Sequence, residues 1–126
     1  MVNLIRLDSL GLAVGPSPPR WNVDLQVTDV NGLPVAVQTN AMVRVFDKEN
    51  GNALFSPADA KVFVSSGGAG EILGSNGPQA VVQTNESGYA NLQIEASAGE
   101  TVVVLMVAYV LGQLMASGQT SLEVTF

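Results

Sequence analysis

The chain contains no cysteine and no histidine. Without cysteine there is no disulfide, no thiolate nucleophile and no thiolate-bound zinc or iron–sulfur cluster. Without histidine there is no Ser-His catalysis and no imidazole ligand. Charged residues make up only 13% of the 126 residues and aromatic residues 6%, against 47% hydrophobic residues. The side chains that usually carry chemistry are scarce, so the expectation is a structural or binding module. No enzyme activity, cofactor or metal is expected.

Basic residues are also few and end early. Arg6, Arg20, Arg44, Lys48 and Lys61 oppose eleven acids, for a net charge of −6. Beyond Lys61 the charges are Glu71, Glu86, Glu95, Glu100 and Glu123. Such a surface repels nucleic acid and anionic membranes, so neither is an expected partner. Two readings of the asymmetry stand: a solvated acidic face, or a module whose basic N-terminal end docks on something acidic.

Long hydrophobic runs are absent too. The longest, Val102–Leu111, is too short for a bilayer-spanning helix of about 20 residues. No membrane insertion is expected. Met1-Val2-Asn3-Leu4-Ile5-Arg6 lacks the cationic start and apolar core of a secretory signal. The expectation is a protein used without secretion, or one whose signal was removed before this numbering.

The length is that of one domain. Residues 1–20 read as a separate N-terminal arm: Met1–Val14 is mostly apolar, and Gly15-Pro16-Ser17-Pro18-Pro19-Arg20 reads as a stiff, Pro-rich linker. That arm either packs on its own domain or reaches a neighbour. Residues 21–126 form the domain proper.

From Trp21 onward the pattern is β. Val23, Leu25 and Val27 alternate with Asp24, Gln26 and Thr28. Val43 and Val45 flank Arg44, and Val62 and Val64 flank Phe63. Ala90, Leu92, Ile94 and Ala96 alternate with polar residues, as do Leu122, Val124 and Phe126. Nineteen Val against three Ile reinforce this, because β-branched side chains suit a pleated surface. Asn31-Gly32, Asn50-Gly51 and Asn76-Gly77 punctuate the runs as turns, with further breaks at Ser66–Gly70 and Ser87-Gly88. Short strands at such spacing indicate a sandwich or barrel.

Thr101–Gln113 departs from alternation. Val102, Val104, Met106, Ala108 and Val110 would face one way, and Val103, Leu105, Val107, Tyr109 and Leu111 the other. Both faces are apolar, where one face of an antiparallel strand normally meets water. Either the N-terminal segment or a long loop covers the second face, or it meets another subunit. The candidate interface residues are therefore Leu4, Ile5 and Leu7 of the arm, with Val103, Leu105, Val107, Tyr109 and Leu111. Self-association into a homo-oligomer is expected.

Other candidate sites are weak. Asp47-Lys48-Glu49-Asn50-Gly51-Asn52 has the look of a calcium loop, but its Gly stands fifth and its twelfth position falls at Pro57 or Ala58. It reads as a hairpin tip. Asp29–Gly32 and Asn85–Gly88 could join a calcium site only if the fold united them. Ser65–Gly70 is glycine-rich but opens no helix, so it cannot cradle phosphate. Nothing places two carboxylates in one pocket for glycoside hydrolysis. Trp21, Tyr89 and Tyr109 read as core or boundary residues rather than sugar-stacking platforms.

Four segments in order carry a resemblance. Asp29-Val30-Asn31-Gly32-Leu33-Pro34-Val35, Val64–Gly70, Val82–Ala90 and Ser121-Leu122-Glu123-Val124-Thr125-Phe126 are similar to the corresponding motifs of bacterial immunoglobulin-like (Ig-like) domains of the invasin/intimin type. The likeness spans about Trp21–Phe126. It departs at Ala36–Lys61, which is longer, and at Asn85, where Asp is usual. It implies an all-β fold, an Ig-like antiparallel β-sandwich, here with an N-terminal extended arm. It implies no site, because fold does not fix function. Solitary Ig-like domains resembling this one occur on tailed-phage particles. The expected function is thus a structural, decoration or tail-associated protein of a virion, docking by its arm and one apolar sheet face. The alternative is an adhesion module at a bacterial cell surface that binds a receptor or carbohydrate through its loops.

Overall fold

The computed structural model describes residues 3–13, 20–49, 52–57, 60–77, 79–96, 103–112 and 120–125, with side chains at all of these except 46–57, 60, 96, 103–105 and 120–125. Ten strands carry the described chain: β1 (Leu4–Leu12), β2 (Arg20–Thr28), β3 (Asn40–Glu49), β4 (Asn52–Pro57), β5 (Ala60–Val64), β6 (Glu71–Leu73), β7 (Gln79–Gln83), β8 (Tyr89–Ala96), β9 (Val103–Val110) and β10 (Thr120–Thr125). They form two antiparallel sheets. One has four strands in the order β1-β2-β8-β5. The other has six, in the order β10-β9-β3-β7-β6 with β4 paired to β3. Strands distant in sequence are neighbours, β2 beside β8 and β3 beside β9, because the chain crosses between sheets. This is an Ig-like β-sandwich.

The alternation read from sequence is what joins the sheets. Val23, Leu25 and Val27 of β2 and Ala90, Leu92 and Ile94 of β8 are buried on the inner face of the four-stranded sheet. Ala41, Val43 and Val45 of β3, with Met106 and Ala108 of β9, meet them from the other side. Each fully buried Val, Leu or Ile contributes roughly 1.5–3 kcal/mol.

The N-terminal segment corrects an expectation. Leu4–Leu12 is no separate arm: it pairs with β2 from Leu4↔Thr28 to Leu12↔Trp21, with a bulge between Ser9 and Gly11. Ile5 and Leu7 alternate with Arg6 and Asp8 and sink into the core, 1% and 7% exposed. The sandwich therefore begins at Leu4, not at Trp21. The Ala13 N–H donates to the Arg20 carbonyl at 2.8 Å, which closes a hairpin whose connection is the Pro-rich stretch. Residues 14–19 themselves lie outside the described residues. Prolines suit such a connection, which has no ladder to donate to.

Turns follow the sequence closely, with one shift. Gly32 has φ 80°, as its Asn-Gly pair requires. Between β6 and β7 the positive φ falls on Gly74 (82°), not on Gly77. Asn50-Gly51 lies outside the described residues, but Glu49↔Asn52 pairing makes it the tip of the β3–β4 hairpin. The long β2–β3 connection is held by a pair of threonines. Thr39 N–H donates to Thr84 Oγ1 at 2.8 Å, and Thr84 N–H donates to the Thr39 carbonyl at 2.9 Å.

Candidate docking face

The outer face of the six-stranded sheet carries the most unusual surface. Inward residues of β3, β7 and β9 are odd-numbered on β3 and even-numbered on β7 and β9. Their neighbours must point outward, because successive side chains alternate across a strand. Register aligns four of these in one row across four strands: Leu73 of β6 opposite Val81 of β7, Val81 opposite Met42 of β3, and Met42 opposite Tyr109 of β9. All four are apolar or aromatic and half-buried.

The next row is Gln79, Arg44, Val107 and Ser121. Val107 is only 4% exposed although it lies on the outer face. Arg44 stands beside it, and an arginine stem shields an apolar neighbour in this way.

The apolar surface continues at one end of the sandwich. There β2 and β9 finish and β3 begins, and the Leu111 N–H donates to the Asn40 carbonyl at 2.9 Å. Leu111 is 44% exposed, and Val30, Leu33 and Val37 of the β2–β3 connection are 67%, 61% and 37% exposed. Scattered exposed apolar residues are ordinary, but a contiguous patch marks an interaction site.

The candidate interface residues divide accordingly. Tyr109 and Leu111 are at the surface, as expected. Val107 is on the expected face but is itself covered. Val103 and Leu105 lie in β9 opposite Lys48 and Phe46, and their side chains fall outside the described residues. Ile5 and Leu7 are not available to a partner, because both are core residues. Leu4, half-buried, belongs to the same strand. Its strand also settles one alternative: β1 lies across the core from β9 and β10, so Leu4–Leu12 does not cover the outer face of β9.

Met42, Leu73 and Val81 were not singled out from sequence. The signal was there, in Ala41-Met42-Val43, Ile72-Leu73 and Ala80-Val81-Val82. Each is a short run without alternation, the same anomaly that marked β9. Only register shows that the anomalies share a row.

The weaker sites resolve into turns. Asp29 Oδ1 accepts the N–H groups of Asn31 and Leu33 at 2.8 and 3.0 Å, and Asn85 Oδ1 accepts those of Ser87 and Tyr89, both at 3.0 Å. These oxygens stabilise the backbone rather than reaching for a cation. Among the described residues no group of three Asp or Glu could hold a metal ion. The side chains of Asp47–Asn52 lie outside the described residues. In the glycine-rich loop, the Gly68 N–H donates to the Ser65 carbonyl at 2.8 Å, an ordinary turn between strands.

No protein-family model and no curated protein matches the chain. Among solved structures it is similar to a conjugative transposon lipoprotein from Bacteroides eggerthii, at 12% identity and a TM-score of 0.48, over 97% of this chain and 95% of that one. It is also similar to a lipoprotein from Bacteroides thetaiotaomicron, at 8% identity and a TM-score of 0.49, over 97% of this chain and 78% of that one. At these identities neither likeness carries a function to this chain.

Proposed function

We propose that this chain is a non-catalytic structural protein of a virus particle, a β-sandwich that docks on a neighbouring protein subunit through the outer face of its six-stranded sheet. The observation that carries this reading is the row Leu73–Val81–Met42–Tyr109, apolar across four adjacent strands on a face that water would otherwise wet. Burial of such a row releases ordered water and supplies the anchor of an interface, with Tyr109 as the kind of residue that dominates binding energy. The particle setting is drawn from the resemblance to solitary Ig-like virion proteins. The arm takes no part in docking, because its apolar residues Ile5 and Leu7 are spent on the core.

The test uses particles purified from the organism that encodes the chain. Mass spectrometry is expected to find the chain in them. Particles lacking it should be re-decorated by the purified protein, whereas Met42→Glu and Tyr109→Glu should bind at least about tenfold more weakly, the equivalent of losing one buried anchor. Absence from the particles, or equal binding by both variants, would refute the reading. Recovery of the chain at the cell surface instead would favour the adhesion module.

A further inference from the structure

The opposite sheet presents a different surface, and its chemistry points to another kind of ligand. The outward residues of β2 and β8 pair side chain to side chain. Asn91 Nδ2 donates to Asp24 Oδ1 at 2.8 Å, and Gln93 Nε2 donates to Asn22 Oδ1 at 2.9 Å. Each partner on β8 is tied at its other end as well. Asn91 Oδ1 accepts the Ala69 N–H at 2.8 Å, and Gln93 Oε1 accepts from Arg20 Nη1 at 3.2 Å. These four amide and carboxylate groups are thus fixed before any ligand arrives, which removes part of the ordering cost of binding.

The bonds leave specific atoms over. Asp24 keeps Oδ2 as an acceptor, and Asn22 keeps its Nδ2 hydrogens as donors. They stand two residues apart on the same face of β2, about 7 Å between Cα atoms. Tyr89, half-buried, stands next to Asn91 along β8 on the same face, opposite Gln26. A rigid donor, a rigid acceptor and a ring face are what a hydroxyl-bearing sugar ring needs, since each hydroxyl both donates and accepts while its C–H face packs on an aromatic.

Charge selects the class. The chain carries −6, yet this face is balanced. Arg6 pairs with Asp8 at 3.1 Å and Arg20 with Glu95 at 3.1 Å, and Asp24 is offset by Lys61. Arg20 is further occupied over the Phe63 ring, 4.1 Å from its centroid. A polyanion or polycation finds no net field here. A protein partner finds no apolar anchor. We infer that the outer face of the four-stranded sheet binds an uncharged, hydroxyl-rich ligand, a neutral glycan, at the patch formed by Asn22, Asp24 and Tyr89.

This inference stands apart from the docking reading, since it uses the other sheet. The test is amide-resolved NMR of the isotopically labelled whole chain, titrated with a series of neutral oligosaccharides (gluco-, manno- and galacto-configured) and with a sulfated oligosaccharide as control. At least one neutral oligosaccharide is expected to shift the resonances of Asn22, Asp24, Tyr89 and Asn91 at millimolar concentration, and the sulfated one to leave them unmoved. Asn22→Ala and Tyr89→Ala should each weaken the response at least about tenfold, as loss of a hydrogen-bonded or stacked anchor does. Met42→Glu should not change it. The same spectra show whether each variant is folded, and Tyr89→Phe, which keeps the ring, should retain the response. No shift at this face with any neutral oligosaccharide would overturn the inference. So would shifts that favour the sulfated control, or that survive in folded Asn22→Ala and Tyr89→Ala.

Discussion

Gly88 shows how tightly single residues define the end of the sandwich that carries the exposed apolar loops. It has φ 75°, and a Cβ added there would run into the Val35 carbonyl oxygen and crowd Gln26 Nε2. Its own carbonyl accepts the Val27 N–H at 2.8 Å and Gln26 Nε2 at 3.2 Å. Backbone on three sides leaves nothing soft to move. Gly32 has a similar φ of 80° but open space around it. Gly88→Ala is therefore expected to cost more than about 2 kcal/mol, from left-handed strain plus overpacking, while Gly32→Ala costs about 1–2 kcal/mol from strain alone. Urea unfolding of both variants checks the ranking, and equal losses would show that the Val35 contact is unimportant. Both glycines were legible as turn residues. Which one is also walled in was not, because Val35 and Gly88 are far apart in sequence.

Among the elements, β1 departs most from what its sequence suggested. Ile5-Arg6-Leu7-Asp8 alternates over four residues, which is a strand signal. Leu4, Leu10 and Leu12 blur it, since Leu10 and Leu12 are exposed (59% and 50%) and sit beyond or near the bulge at Ser9 and Gly11. The prolines after it read as the end of a unit, when they are the connection of a hairpin. The Trp21 Nε1–H donates to Ser9 Oγ at 2.8 Å, a further tie between the two strands. Leu7→Ala is expected to lower stability by about 2–5 kcal/mol, the cost of a core cavity. A detached arm would lose almost nothing, and thermal unfolding separates the two outcomes. In β2, β8 and β3 the alternation of valines with polar residues was enough to place the inner face. In β9 the doubled apolar pattern was legible but its neighbours were not, because register joins Met42 and Val81 to Tyr109 and sequence order does not.

The whole molecule has two unlike outer faces. One is a charge-balanced lattice of amides and carboxylates. The other is an apolar row across four strands, continuous in sequence with the exposed end at Leu111. Docking through the second face should carry the signature of apolar burial, a negative heat-capacity change and little weakening by salt. Calorimetry at several temperatures and salt concentrations reads both, and a steep loss of affinity with salt would point to the acidic surface instead. The direct measurement of the docking face is site-specific photo-cross-linking in assembled particles, with the cross-linker placed in turn at Met42, Tyr109 and Asn91. Cross-links from positions 42 and 109 to a neighbouring particle subunit, and none from 91, are the expected result. Cross-links to that subunit from position 91 alone would contradict docking by the six-stranded sheet.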